Sequence, residues 1–199
     1  MKRILTIFLV SIATILGLQK IPANLKIESL PEVTFSPEPN PSPQVARIVI
    51  ACDSTCTDQE KAELPKLVDL LTKTENSQCF KDYLSNGKLD LSQAKNMTLD
   101  QVISLVTTSK VNSTLTYYYK RRNPFTGTIV VGYENGDGKI HANRAAWKNL
   151  TPCEKAANMG HEISHGKPME FTHDYNNTAR RPFSVPYMIG SAISACCKL

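Results

Sequence analysis

The sequence has little charge of either sign to offer a partner. Charged residues make up 21% of the 199 positions, and the formal net charge at pH 7 is +5. Acidic residues are missing from the first 23 positions, which hold Lys2, Arg3 and Lys20, so the remainder of the chain carries a net charge of only +2. So small an excess does not predict a basic surface of the kind that binds nucleic acid. We therefore expect no nucleic-acid partner.

The sequence also lacks a hydrophobic run of membrane-spanning length and a cysteine near its start. The apolar run at residues 4–18 has 15 positions, whereas a spanning helix needs about 20. The first cysteine is Cys52, so no lipid-modified N-terminal cysteine is expected. A short basic stretch precedes the run and Ile21-Pro22-Ala23 follows it, a pattern typical of a secretory signal peptide cleaved after Ala23. We expect a secreted or periplasmic protein with no stable membrane insertion after cleavage.

No internal repeat is present, and the chain length and an apolar content of 41% fit one globular domain with short appendages. Residues 31–44 hold five prolines in 14 positions, a composition that favours extended polyproline conformations. The sequence thus divides into a signal peptide (1–23), a proline-rich linker or pro-segment (24–44) and one folded domain (45–199).

The cysteine content agrees with export. An even number of cysteines in a domain of this size is typical of disulfide-bonded exported proteins. The spacing of Cys52 and Cys56 also suits a zinc cluster, but a second Cys/His pair of matching spacing is missing. Because Cys196 and Cys197 are adjacent, we expect each to pair with a different partner. The six cysteines are Cys52, Cys56, Cys79, Cys153, Cys196 and Cys197.

Helix signals dominate the first half of the domain, and strand signals follow. Capping boxes at Thr57 and Thr98 each precede an apolar segment of helical spacing, a short helix surrounds residues 79–84, and a last helix begins near Pro186. We predict an α+β domain with a small, mostly antiparallel sheet packed against helices. Its strands are predicted from β-branched and aromatic residues at 47–52, 114–119, 128–133 and 139–143.

One further predicted helix, which extends to about residue 165, carries the motif HExxH. A capping box begins it at Thr151, and proline stands at its first position. Residues four apart lie on the same helical face, so His161 and His165 can bind one metal ion. Glu162 follows the first histidine directly and is positioned to take a proton from a nearby water. This pattern predicts a catalytic Zn²⁺ site.

A catalytic zinc ion is usually held by three protein ligands, and the third must come from elsewhere in the chain. The downstream candidates are Glu170, His173 and Asp174. We favour His173, because imidazole suits zinc and because the loop at Gly166 allows the chain to turn back toward the helix. His141, on a predicted strand, is interpreted as a structural or cleft-wall residue.

The segment HEISHGKPMEFTHDY resembles the metzincin zinc protease signature HExxHxxGxxH. It is especially similar to a group of exported bacterial zincin-like proteins. In these, HExxH and a glycine are followed by His-Asp-Tyr or His-Asp-Phe and then by Ser-Val-Pro-Tyr-x-Ile-Gly, which stands here at residues 184–190. In metzincins the third histidine follows the second by six positions; this chain has Phe171 there, and its histidine comes two positions later.

The resemblance covers residues 139–190 and implies a zincin-like catalytic domain. It implies a zinc peptidase with Glu162 as general base and Tyr187 as a candidate donor to the developing oxyanion, although core packing of Tyr187 is an equal alternative. Met188 is a candidate for a Met-turn, and core packing is favoured for it. The implied metal ligands are His161, His165 and His173.

These observations predict a secreted or periplasmic zinc endopeptidase that acts on polypeptides. An edge strand at residues 139–143 is expected to pair with an extended substrate. Two alternatives stay open: a zinc-binding domain without turnover, and a hydrolase of cell-wall peptides. The sequence leaves the oligomeric state and the cleavage preference open.

Overall fold

Six helices and a four-stranded sheet make up the part of the chain that the computed structural model describes, residues 47–125, 127–174 and 178–198. The predicted signal peptide and the proline-rich segment lie outside these residues. The strands are β1 (Ile48–Cys52), β2 (Val111–Tyr118), β3 (Gly132–Tyr133) and β4 (Lys139–Asn143). The helices are α1 (Asp58–Asn76), α2 (Gln78–Asn86), α3 (Leu99–Thr108), α4 (Arg144–Trp147), α5 (Pro152–Ile163) and α6 (Val185–Cys196).

The sheet is mixed, with the strand order β1-β2-β4-β3. The α+β class is confirmed, but the prediction of a mostly antiparallel sheet is wrong. β1 pairs with β2 and β2 with β4 in parallel, and only the short β3 runs antiparallel, to β4. The physical reason lies in the connections: three helices separate β1 from β2, and a long excursion separates β2 from β4, so each strand begins again at the same end of the sheet.

The edge of the sheet also differs from the prediction. β4 matches its predicted range, but β3 covers its outer side, so residues 139–143 form an interior strand. Of the predicted strand 128–133, only Gly132 and Tyr133 pair with β4. The outer edge available to a ligand therefore belongs to β3.

The predicted helix starts are confirmed. Capping boxes are present at Thr57, Thr98 and Thr151. Each threonine side chain accepts from the backbone N–H three positions later, and the Glu or Gln side chain at that later position accepts from the backbone N–H of the threonine. α5 begins at Pro152 and ends at Ile163, two residues before the predicted end. It tightens there because the N–H groups of His165 and Gly166 donate to carbonyls only three residues back.

Helix α5 lies in the middle of the helical layer, in contact with α1 and α6. Its approach to α6 is close: a Cβ at Gly160 would collide with the Ile193 side chain. Ile189 and Ile193, both fully buried on α6, form part of the same core. The helix that carries the two motif histidines is thus fixed against its neighbour by tight apolar packing.

Three disulfides join the six cysteines. Cys79–Cys196 ties α6 to α2, and Cys153–Cys197 ties the end of α6 to the start of α5. The expectation that the two adjacent cysteines have different partners is confirmed. The third disulfide, Cys52–Cys56, removes these thiols from consideration as zinc ligands. Within the described ranges, no helix is both long and apolar enough to cross a membrane.

Candidate metal centre

The three predicted histidine ligands meet at one point. His161 lies near the end of α5, His165 in the tight turn that follows, and His173 in the loop beyond. The Nε2 atoms of His161 and His165 are 3.3 Å apart, and all three residues offer ligand nitrogens within 4.8 Å of one another. In the described part of the chain this is the only group of three histidine, cysteine or carboxylate side chains with that spacing.

A folded turn brings His173 back to the helix despite the two additional residues. The N–H of Glu170 donates to the Gly166 carbonyl over 2.9 Å, and the N–H of Phe171 donates to the Ser164 carbonyl over 2.9 Å. Phe171 itself is fully buried in the core. The position that holds a histidine in metzincins therefore anchors the turn here, and the chain reaches the site two residues later.

Backbone carbonyls fix the orientation of all three imidazoles. Nδ1 of His165 lies 2.7 Å from the Phe171 carbonyl, and Nδ1 of His173 lies 3.1 Å from the Asp174 carbonyl. The ring of His161 bonds to Pro186, which has only a carbonyl to offer. Because carbonyls only accept, Nδ1 of His165 and of His173 carries the proton, and Nε2 of these two rings is left to bind a metal ion. Nε2 of His161 faces Nε2 of His165.

The electrostatic environment keeps the imidazoles neutral. Burial, with smaller contributions from the two neighbouring rings, lowers the pKa of His161 to about 3. Burial also lowers the pKa values of His165 and His173. Neutral imidazole is the form that binds a metal ion, so this donor set fits Zn²⁺ at neutral pH.

The alternative third ligands point elsewhere. Glu170 is paired with Lys95. The carboxylate of Asp174 accepts from Gln93 over 2.7 Å and from Thr178 over 2.6 Å. His141 stacks on Tyr133 in the sheet, with its ring 4.5 Å away, and does not join the three histidines. His173 is therefore the candidate that the fold brings to the site.

Glu162 is buried beside the histidines, with only 4% of its surface exposed. Nδ2 of Asn158, one helical turn earlier, donates to its Oε1 over 3.1 Å, and Nε1 of Trp147 donates to Oδ1 of Asn158 over 3.2 Å. Burial raises the pKa of Glu162 to about 7, although the bond from Asn158 acts in the opposite direction. A carboxyl with such a pKa exchanges protons readily at neutral pH.

The edge strand comes very close to this pair. An added Cβ at Gly132, in β3, would stand 2.7 Å from Oδ1 of Asn158 and 3.3 Å from Oε1 of Glu162. Only glycine therefore fits there without displacing the side chains. The sequence analysis identified neither Asn158 nor Gly132. The spacing of four residues between Asn158 and Glu162, which puts both on one helical face, was the one signal that could have indicated their contact.

Tyr187 lies against the histidines from the start of α6. Its ring centre is 4.6 Å from that of His161 and 4.9 Å from that of His173, and the guanidinium of Arg181 lies 5.0 Å above its face. Tyr187 is half-buried and lines the cleft. Met188, by contrast, is buried in the core next to Gly87.

An open cleft of about 1190 Å³ contains these groups. It is lined by residues 128–136, which include β3, and by parts of α5, α6 and the loop 171–173. No protein-family model matches the chain, and no curated protein is significantly similar to it.

Proposed function

We propose that this chain is a secreted or periplasmic, zincin-like endopeptidase that depends on Zn²⁺ and cleaves polypeptides. The observation that carries the proposal is the convergence of three neutral imidazoles directly beside a buried carboxyl, Glu162, in an open cleft. Three neutral nitrogen ligands with an adjacent general base are the donor set of a hydrolytic zinc site.

The metal would be held by His161, His165 and His173. Backbone carbonyls engage Nδ1 of His165 and of His173, which leaves Nε2 of these two rings for the metal. When bound, zinc lowers the pKa of water and polarises the substrate carbonyl. All three histidines line the cleft, so a metal ion held by them would be accessible to a substrate there.

Glu162 serves as the general base. Its carboxyl, which accepts from Asn158, takes the proton from the attacking water and returns it to the leaving amine. A pKa of about 7 suits both directions of this transfer. The bond from Asn158 keeps the carboxyl in one orientation during the reaction.

Tyr187 is the candidate donor to the oxyanion. Its ring touches those of His161 and His173, and it lines the cleft in which the scissile carbonyl would lie. Arg181 lies over the face of the tyrosine ring and restricts its motion. A hydroxyl held next to the metal ligands is suited to stabilise negative charge as it develops.

The outer edge of β3 is the expected binding site for the substrate backbone. β3 lines the cleft beside Glu162, and its outer side has no neighbouring strand in the described sheet. An extended polypeptide can add there as a further strand, with its scissile bond next to the histidines.

Chelation and reconstitution test the proposal. The purified domain is assayed on a reduced, unfolded protein before chelation, after removal of metal, and after zinc is restored. We expect cleavage to disappear with the metal and to return with about one zinc per chain. Tight zinc binding without cleavage in any sample would instead favour the non-catalytic zinc domain, and activity that survives complete metal removal would contradict the proposal.

A further inference from the structure

A second groove, of about 450 Å³, lies beside the cleft near the start of α5, at the opposite end of that helix from the histidines. Ile129, Val131 and Leu150 line both spaces, so the groove lies directly beside the cleft. Among the described residues that line the groove, three carry a positive charge and none carries a negative one. These cations are Arg121, Arg122 and Lys148, which we call the basic rim.

The basic rim is exposed, and the floor of the groove is apolar. All three rim side chains are exposed to solvent, and Tyr119, with 67% of its surface exposed, stands beside them. Arg122 donates to the Gly127 carbonyl of its own loop over 2.8 Å. The carboxylates of Glu134 and Glu154 line the neighbouring cleft and not the groove. The rim thus gives this end of the binding surface a local positive charge.

A buried asparagine attaches the rim segment to the wall of the cleft. Asn143 is fully buried. Its Nδ2 donates to the carbonyls of Lys120 and Val130, each over 2.9 Å, and its Oδ1 accepts from the Lys120 N–H over 3.1 Å. The chain that leads into the rim and the extended segment that leads into β3 are therefore held together, which fixes the rim next to the wall of the cleft.

We propose that the basic rim is a second substrate site, which binds acidic side chains of a polypeptide lying in the cleft. This inference rests on the proposed function and names its substrate class: polypeptides with Asp or Glu at a distance from the scissile bond. Leu150 stands two residues before α5, and the first residue of that helix, Pro152, is separated from Glu162 by about 15 Å along the axis. An extended chain covers that distance in about five residues.

The positive charge of the basic rim and the position of the groove beside the cleft together favour a polypeptide as the occupant. Arginine and lysine attract carboxylates through long-range electrostatics and, for arginine, bidentate hydrogen bonds. The apolar floor and the shared residues Ile129 and Val131 continue the path that an added strand would follow past β3. An anionic lipid surface would need only the cations and would gain nothing from the groove.

Peptide binding tests the inference without turnover. The probes are two fluorescein-labelled octapeptides, one alternating Glu and Ala and the other alternating Gln and Ala, titrated against the chelated full mature domain in fluorescence anisotropy. We expect the Glu peptide to bind at least ~10-fold more tightly at low salt, and this preference to shrink at 0.3 M salt, where the Debye length is shorter.

The test variant is Arg121→Glu with Lys148→Glu, which spares Arg122 and its bond to Gly127. The control is Lys66→Glu with Lys110→Glu, two exposed lysines outside the groove that change the net charge equally. We expect the test variant to lose the preference for the Glu peptide and the control to keep it. An equal loss of this preference in both variants would overturn the inference, because it would show that the preference depends only on the net charge of the protein.

Three further outcomes distinguish this inference from the proposed function and from a lipid surface. Zinc-dependent cleavage without any preference for the Glu peptide would overturn the second site and leave the peptidase intact. Cosedimentation with phosphatidylglycerol vesicles that depends on Arg121 and Lys148, with no binding of the Glu peptide, would overturn it in favour of a lipid surface. Loss of zinc-dependent cleavage, with the peptide preference retained, would contradict the proposed function and not the site.

Discussion

Asn158 donates a hydrogen bond of 3.1 Å to Oε1 of Glu162, one helical turn later on the same face of α5. The asparagine is oriented in turn by Nε1 of Trp147, since an indole N–H only donates and therefore selects the amide oxygen. This chain of two bonds fixes the buried carboxyl that the proposed reaction uses. Asn158 acts through Glu162, so it is a positioning residue.

Replacing Asn158 by Ala is expected to lower kcat about 10-fold with little change in KM or in zinc content, because the carboxyl loses its fixed orientation while the histidines keep theirs. Steady-state kinetics with zinc determined on the same samples check this. Asn76→Ala, which removes an exposed asparagine outside the cleft and the groove, is the matched control and should match the parent. A fall in zinc content that accounts for the lost turnover would contradict the positioning role.

The stability of the metal-free protein is expected to depend on Glu162 in a defined direction of pH. Its pKa rises from 4.5 to about 7 on folding, because burial disfavours the charge. The folded state therefore holds the proton more tightly, and the free energy of unfolding decreases as pH rises from about 4.5 to about 7. Glu162→Gln cannot ionise and escapes this loss.

Urea denaturation of parent and Glu162→Gln in the presence of chelator measures the effect. Relative to the parent, the free energy of unfolding of the variant should be little changed at pH 4.5 and higher by up to about 3 kcal/mol at pH 7.5. This value corresponds to a shift of roughly 2.5 pKa units. Effects of the histidines are the same in both proteins and cancel in the difference. A difference that stays constant across this range would show that burial does not raise this pKa.

The disulfides Cys79–Cys196 and Cys52–Cys56 are expected to contribute unequally to the free energy of unfolding. Cys79–Cys196 closes a loop with a sequence separation of 117, and Cys52–Cys56 one with a separation of only 4. Loop-closure entropy then predicts a loss of about 5 kcal/mol for the Cys79→Ala, Cys196→Ala variant and about 2 kcal/mol for the Cys52→Ala, Cys56→Ala variant. Denaturant midpoints compared at equal m-values test the order; equal losses would contradict it.

The helix starts and the metal-site motif could be predicted from the sequence because both are local. A capping box at Thr151 and two histidines four apart are read from neighbouring positions, and α5 matches that prediction within two residues. The third histidine is favoured on ligand chemistry and on the loop at Gly166 that allows the chain to turn back. Its approach depends on the hydrogen bond from Phe171 to Ser164, which no spacing rule reveals.

The sheet and the support of the general base could not be predicted in the same way. Strand 139–143 was found correctly, but its place between β2 and β3 depends on pairing between distant segments. The contact of Gly132 with Asn158 and Glu162 likewise joins an edge strand to a helix that follows 20 residues later. Alternation and propensity describe one strand at a time, so they carry no information on such contacts.

The identity of the third zinc ligand can be tested by replacing His173 and the two nearby carboxylates one at a time. His173→Ala should weaken zinc binding more than ~100-fold, since it removes a metal ligand rather than a supporting partner. Glu170→Ala and Asp174→Ala are matched controls, because these carboxylates bond to Lys95, Gln93 and Thr178 instead. Competition with a chromophoric chelator gives the affinities. Stronger weakening in either control than in His173→Ala would reassign the ligand.

The cleavage rate of the zinc-loaded Glu162→Gln variant on an unfolded polypeptide, relative to the parent, tests the central claim most directly. Zinc content is measured on the same samples. The replacement keeps the shape of the side chain and removes the proton acceptor, so both proteins should hold about one zinc per chain while turnover falls at least ~100-fold. Equal turnover in the two proteins, or a parent that binds zinc and cleaves nothing, would contradict the claim that this site is a zinc peptidase.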